Sequence, residues 1–126
     1  MRKPKTFLLE TDMFPHVVAF YYGPRPSDAV TGRLCRKYRL WNGDGDTPGV
    51  GDGQAVTLYF GTGSFVWIDS EVDAVTRAEH FAHEMVHVIS GFSKHLGEYP
   101  DEDADELHAY YAGWLAKEFF SRVGKV

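Results

Sequence analysis

The chain has 126 residues, 44% of them hydrophobic, and 13 basic residues stand against 18 acidic ones, which gives a net charge of −5. This length predicts one domain spanning residues 1–126, and the acidic balance argues against nucleic acid as a partner. The single Cys35 excludes an internal disulfide and favours a reducing, cytoplasmic compartment, and no apolar run is long enough to predict membrane insertion.

The first third of the chain predicts one central strand followed by one helix. Residues 16–22 are apolar on both faces, as is typical of a strand that is covered on two sides. Either Ser27 or Asp28 is expected to cap a helix that runs to about Trp41. The basic run 33–39 lies on this helix and is interpreted as a solvated face.

A loop and a hairpin are predicted next. Residues 42–53 are rich in Gly and Asp and predict a connector beside the cleft; a calcium loop is disfavoured because no Glu stands at its closing position. Residues 55–60 and 64–69 have the β-branched and aromatic composition of strands, joined by a Gly-Thr-Gly turn. The strand 64–69 leads toward the following helix and is predicted to form the sheet edge beside it.

A long helix is predicted over residues 72–92, which contain no Pro and carry apolar residues at spacings of three and four. Its start is capped by Asp73 or by Thr76, the latter as part of a capping box. Gly97 is expected to end this helix or a short extension of it.

This helix carries the segment His83-Glu84-Met85-Val86-His87. Two imidazoles at i and i+4 share one helix face, so His83 and His87 can both reach a single Zn²⁺ ion. Glu84 is rotated off that row and can accept a proton from a metal-bound water during attack on a carbonyl. The spacing therefore predicts a zinc-dependent hydrolase, with Glu84 as its general base.

A catalytic zinc usually takes three protein ligands, and the acidic segment 101–106 opens the next predicted helix, residues 107–120. Glu106 is the preferred third ligand because it lies farthest into that helix. The small residues Ala109 and Gly113 follow on its face and would allow close approach to the helix that carries the imidazoles. The rival ligands in the same segment are Glu102, Asp103 and Asp105.

Two further histidines are weaker alternatives. His95 stands eight residues after His87, a rise of about 12 Å on a continuous helix, which is too far for a shared metal ion. His80 lies one turn before His83 and could be a ligand only in a shifted register. Both are interpreted as partly exposed helix residues.

The segment 82–115 resembles gluzincin-like metallopeptidases, and more narrowly a group of small phage and prophage proteins. These share an A-H-E-x-x-H helix followed by a D-E-x-x-A-Y-x-x-G-[YW]-L helix, and the chain has Ala82 to His87 and Asp105 to Leu115 in these places. The first half of the chain fits the group only in outline. The resemblance implies that Glu106 is a zinc ligand and that Glu84 is the base.

These observations predict an α+β fold with a small mixed sheet in the order β-α-β-β-α-α, a minimal zincin-like domain that cleaves a peptide or protein substrate. Tyr110, one turn beyond Glu106, is the first candidate for the oxyanion donor or for a bond to a ligand imidazole, with His108 and Tyr111 as alternatives. Two other classes stay open: a metal-binding but proteolytically inactive partner module, and an acidic interaction module without metal.

Overall fold

The computed structural model describes residues 3–102 and 105–124. The helices and strands in that part of the chain are β1 (Lys5–Thr11), β2 (Phe14–Gly23), α1 (Asp28–Lys37), β3 (Ala55–Tyr59), β4 (Gly63–Asp69), α2 (Ala74–Leu96) and α3 (Glu106–Val123). The strands form one sheet in the order β1-β2-β4-β3, in which β2 and β4 are parallel and the two outer pairs are antiparallel. This mixed sheet with three helices confirms the predicted α+β class.

The two faces of the sheet are covered by different helices. Successive side chains of a strand point to opposite faces, so Val18 and Phe20 of β2 join one core cluster with residues of α2 and α3. Ala19 and Tyr21 point the other way and join a second cluster with residues of α1. The predicted central strand is confirmed, because β2 is buried on both faces.

The N-terminal strand β1 is absent from the predicted order. It is an edge strand in which only Leu9 is fully buried, so its alternation of apolar and polar residues is too weak to indicate a strand. Backbone pairing with β2, from Lys5 opposite Tyr22 to Thr11 opposite Phe14, holds it in place.

Helix α1 begins as predicted but ends earlier. Ser27 is the cap, because its hydroxyl accepts a hydrogen bond from the Val30 N–H at 3.1 Å. The helix ends at Lys37 and does not reach Trp41, since Arg39 adopts a left-handed conformation with φ of 61°. A residue in that conformation cannot continue a right-handed helix.

The prediction that residues 64–69 form a sheet edge is wrong. This segment, β4, lies between β2 and β3 and is buried along almost its whole length. The edge strand next to α2 is β3, the first strand of the hairpin. The hairpin turn itself is confirmed, with the Phe60 N–H donating to the Gly63 carbonyl at 2.8 Å.

Helix α2 has the limits that its capping residues dictate. The Asp73 carboxylate accepts from the Thr76 N–H at 2.7 Å, so Asp73 is the cap and the alternative capping box at Thr76 does not form. Gly97 ends the helix with φ of 78°. In the described part of the chain, no helix combines the length and the apolar character that crossing a bilayer requires.

Candidate functional site

The two histidines of the motif stand side by side on α2. The ring centroids of His83 and His87 are 5.1 Å apart, with the ring planes inclined at 65°. The His83 side chain is 68% exposed, and His87 is exposed as well. The predicted arrangement of two imidazoles on one accessible helix face is therefore present.

Glu84 lies at the boundary between these imidazoles and the sheet. One residue along a helix turns the side chain by about 100°, which directs Glu84 toward β3 and leaves it only 3% exposed. Its Oε1 accepts a hydrogen bond from the Thr57 hydroxyl of β3 at 2.7 Å, and its Oε2 lies 3.9 Å from His83 Nε2. The carboxylate is thus fixed between the edge strand and the first imidazole.

A recess of about 350 Å³ opens between α2 and the start of β3. It is lined by His80, His83, Glu84 and Glu79 of α2, and by Gln54 and Ala55 on the strand side. His80 has a buried Nδ1 atom without a hydrogen-bond partner in the described part of the chain. An acidic group, an accessible imidazole and a polar orphan atom therefore share one recess.

Glu106 occupies a different environment. It is the first residue of α3 and is exposed, as are Ala109, Tyr110 and Gly113 on the same side of the helix. The face of α3 that packs on the protein carries instead a row of five buried residues, His108, Tyr111, Leu115, Phe119 and Val123.

The prediction that Ala109 and Gly113 provide the close approach to α2 is therefore wrong. The two helices meet through aromatic rings, with Tyr111 stacked on Phe92 at a centroid distance of 4.2 Å. Burial of large aromatic surfaces outweighs the closer backbone approach that small residues allow. The apolar residues of α3, more than its small ones, decide how this helix is rotated.

The structure brings His83, His87 and Glu84 together, but it does not bring Glu106 to them. Among residues 3–102 and 105–124, no three His, Cys, Asp or Glu side chains form a group able to hold a metal ion. The rivals Glu102 and Asp105 are exposed, and Asp103 lies outside the described residues. The roles of His83, His87 and Glu106 as zinc ligands and of Glu84 as the base all stay predictions.

The three candidates for an oxyanion donor differ in their surroundings. Tyr110 is 69% exposed and does not line the recess beside Glu84. The buried Tyr111 hydroxyl donates to the His16 carbonyl at 2.9 Å, and burial raises its pKa above the ordinary value. His108 Nε2 lies 3.1 Å from the Glu98 carbonyl oxygen. Tyr111 and His108 are thus engaged by the fold, and a catalytic role for Tyr110 stays a prediction.

A second histidine pair was not found by sequence reasoning. His16, only 1% exposed, has Nδ1 3.2 Å from His95 Nδ1 and Nε2 2.8 Å from the Ser64 hydroxyl. Burial, together with the nearby charge of His95, lowers the pKa of His16 to about 4. The two histidines are 79 positions apart, so no motif spacing points to the pair.

Cys35 lies on the buried face of α1, and this burial raises its pKa to about 12. The thiol is therefore protonated at neutral pH, which makes it a poor nucleophile.

No family model, curated protein or solved structure matches this chain. The function of the chain is therefore inferred from the chemistry of its own residues.

Proposed function

We propose that this chain is a zinc-dependent hydrolase that cleaves peptide bonds, with Glu84 as the general base. The observation that carries the proposal is the placement of Glu84, which Thr57 holds beside two accessible imidazoles 5.1 Å apart. We further propose that the fold is a minimal zincin-like domain, because the motif helix lies against a sheet whose nearest edge strand, β3, runs past the base.

In this proposal the metal ligands and the base have separate roles. His83 and His87 would hold Zn²⁺, which would supply a Lewis acid able to polarise the carbonyl and to lower the pKa of the attacking water toward about 7. Glu84 Oε1 is occupied by the Thr57 hydroxyl, so Oε2, the oxygen nearer His83, is the one that accepts the proton of the attacking water. The same oxygen then returns the proton to the departing amine.

The third ligand comes, in this proposal, from the acidic segment 101–106. Glu106 is the first candidate on the grounds of the resemblance, although it lies on the exposed face of α3. Coordination by Glu106 therefore requires the start of α3 to sit differently in the zinc-bound protein. The Glu106 carboxylate itself leaves no buried contact behind, but such a change also disturbs the buried His108, whose Nε2 lies 3.1 Å from the Glu98 carbonyl oxygen.

The edge strand β3 supports a peptide as the substrate. A strand at a sheet edge has one unpaired row of N–H and C=O groups, which can pair with an extended peptide. Thr57, the residue that fixes Glu84, lies at the centre of β3. A peptide added to this edge would pass directly in front of the base.

The test combines metal analysis with a peptide-library digest read by mass spectrometry. We expect one zinc ion per chain in the wild type and loss of zinc in His83→Ala and in His87→Ala. Glu84→Gln should keep the metal and lose at least about 100-fold in turnover. Glu79→Gln is the matched control, because it removes a carboxylate from the same recess without touching Thr57. Turnover that survives Glu84→Gln would refute the mechanism.

The ligand set is tested separately with the acidic residues. Replacing Glu106, Glu102, Asp103 and Asp105 one at a time by the corresponding amide identifies the third ligand as the variant that loses zinc. We expect that variant to be Glu106→Gln. If all four variants keep stoichiometric zinc, none of these four residues is the third ligand.

A metal-binding but inactive partner module is the second candidate. The observation that favours it is the burial of Glu84, whose carboxylate is already hydrogen-bonded to Thr57. In that case the wild type holds zinc, yet no library peptide is cleaved differently by wild type and Glu84→Gln. Purified protein without metal would exclude both candidates in favour of an acidic interaction module.

A further inference from the structure

A second recess, of about 310 Å³, shares no lining residue with the one beside Glu84. It lies where the start of β1, the ends of β2 and β4, the first turn of α2 and the end of α3 meet. Its polar and charged lining consists of Lys3, Lys5, Tyr22, Ser70, Glu71 and Arg77. Because five elements build its walls, its shape is set by the fold.

The charges in this recess are not balanced. Three cationic side chains face a single carboxylate, that of Glu71, in a protein whose net charge is −5. Within residues 3–102 and 105–124, no Asp or Glu oxygen lies within 4.0 Å of a side-chain nitrogen of Lys3, Lys5 or Arg77. Lys5 donates instead to the Val123 carbonyl at 3.1 Å. The lining of the recess therefore carries an excess of positive charge, and the one further carboxylate known to attract Arg77 is that of Asp73, at the start of α2.

Arg77 supplies the most specific feature. Its guanidinium donates through Nη1 to the Tyr22 hydroxyl and through Nη2 to the Val72 carbonyl at 3.1 Å. Its Nε atom is buried and has no hydrogen-bond partner among the residues that the structure describes. A buried N–H without an acceptor costs free energy, and a charged one costs more. Two of the five guanidinium N–H donors are used in these bonds, which hold the side chain in place at the wall of the recess.

We propose that this recess binds the phosphate group of a small phosphorylated molecule. The recess brings together the side chains of Arg77, Lys3, Lys5 and Ser70 from different elements, and such a set of donors suits a tetrahedral oxyanion better than a planar carboxylate. The volume is at the lower end of the range for small-molecule sites. This site is separate from the proposed zinc site, and the proposal does not depend on the zinc chemistry.

The experiment titrates the full chain with inorganic phosphate, in a chelator and at constant ionic strength, and follows backbone amide signals by NMR. We expect saturable shifts centred on residues 70–77 and the ends of β1 and β2. Acetate at the same ionic strength is the planar comparison and should give weaker shifts. Equal shifts with both anions, or shifts scattered over surface lysines, would overturn the proposal.

Variants of opposite charge make the test sharper. Lys3→Gln and Glu71→Gln each remove one exposed charge from the rim, so the first should weaken phosphate binding about threefold and the second strengthen it about threefold. Arg77→Lys keeps the charge but loses the Nε donor, and should weaken binding at least about tenfold. Lys117→Gln, on the exposed side of α3, is the matched control and should leave binding unchanged.

Two sources of phosphate are distinguished with vesicles. A soluble phosphate monoester should compete with inorganic phosphate, whereas vesicles of phosphatidylcholine with phosphatidic acid should not sediment the protein. Sedimentation that Lys3→Gln abolishes, without binding of soluble phosphate, would replace the proposal by a lipid headgroup site. Identical affinities in all four variants would leave no role for the recess.

Discussion

The protein holds two histidine pairs with nearly the same ring geometry and opposite surroundings. His83 and His87 have centroids 5.1 Å apart at an interplanar angle of 65°, and His16 and His95 have centroids 5.4 Å apart at 67°. The first pair stands on an exposed helix face, whereas His16 is buried beneath α2 and hydrogen-bonded to Ser64. Ring geometry alone therefore does not distinguish a metal-binding pair from a structural one.

The two histidine pairs differ in solvent accessibility and in the hydrogen bonds that their rings make. In the buried pair one proton lies between the two Nδ1 atoms, and the remaining His16 nitrogen is occupied by Ser64. Few lone pairs are left for a ligand, and burial disfavours a charge on the ring. The rings of His83 and His87 are exposed and stay accessible to a ligand. This is why we propose these two residues, and not His16 and His95, as the metal ligands.

The largest expected effect that separates the pairs is on stability. His16→Ala removes a fully buried ring, its bond to Ser64 and its stacking on Tyr59, so we expect a loss of about 3–4 kcal/mol in the free energy of unfolding. Urea denaturation of the chelated protein measures it. His83→Ala under the same conditions should change that free energy by less than about 0.5 kcal/mol. Equal losses would contradict the assignment of the two pairs.

The second effect is a dependence of stability on pH. The pKa of folded His16, about 4, lies below its ordinary value of 6.5, so the unfolded chain binds the proton first as pH falls. The stabilisation is complete above pH 6.5 and is lost progressively as pH falls toward 4, by on the order of 3 kcal/mol. Denaturation midpoints measured across this window should therefore rise with pH.

The control for this pH dependence is His16→Asn, which keeps a polar side chain and cannot titrate. We expect the free energy of unfolding of this variant to be lower than that of the wild type but to change little with pH between about 4 and 6.5. His83→Ala should retain the wild-type slope. A slope that persists unchanged in His16→Asn would assign the dependence to another residue.

A smaller effect is expected at the hydroxyl that anchors the buried pair. Ser64→Ala leaves His16 Nε2 without its partner at 2.8 Å, and an unsatisfied buried polar atom costs about 1–2 kcal/mol. Thermal and urea unfolding both measure this loss. In the double variant Ser64→Ala/His16→Ala the two losses should not add, because both remove the same hydrogen bond.

Local signals explain how much of this fold is predictable. The limits of α2 follow from Asp73 and Gly97, and the hairpin follows from its glycine turn, because each of these depends on neighbouring residues. The proximity of His83 to His87 depends only on helical spacing. The hairpin turn and the proximity of the two histidines were predicted correctly; for α2 the capping residues Asp73 and Gly97 were among the predicted alternatives, but the helix spans Ala74–Leu96 where residues 72–92 were predicted.

The features that were missed depend on contacts between distant segments. β1 becomes a strand through pairing with β2, and the rotation of α3 is decided by Tyr111 stacking on Phe92. The pairing of His16 with His95 likewise requires the finished fold. For the same reason, the position of Glu106 relative to the imidazoles was beyond what spacing alone predicts.

The smallest effect concerns the hydroxyl at the exposed pair, Thr57, which positions Glu84. Thr57→Val has nearly the same shape but cannot donate to Oε1, so we expect kcat to fall about fivefold with little change in KM. Zinc content should be unchanged, since Thr57 is not a proposed ligand. Thr57→Ser restores the donor and should restore most of kcat, whereas a merely structural role of the methyl group would leave Thr57→Ser impaired and Thr57→Val active. If that second pattern is observed, the bond between β3 and Glu84 supports packing, and the base must be positioned by other contacts.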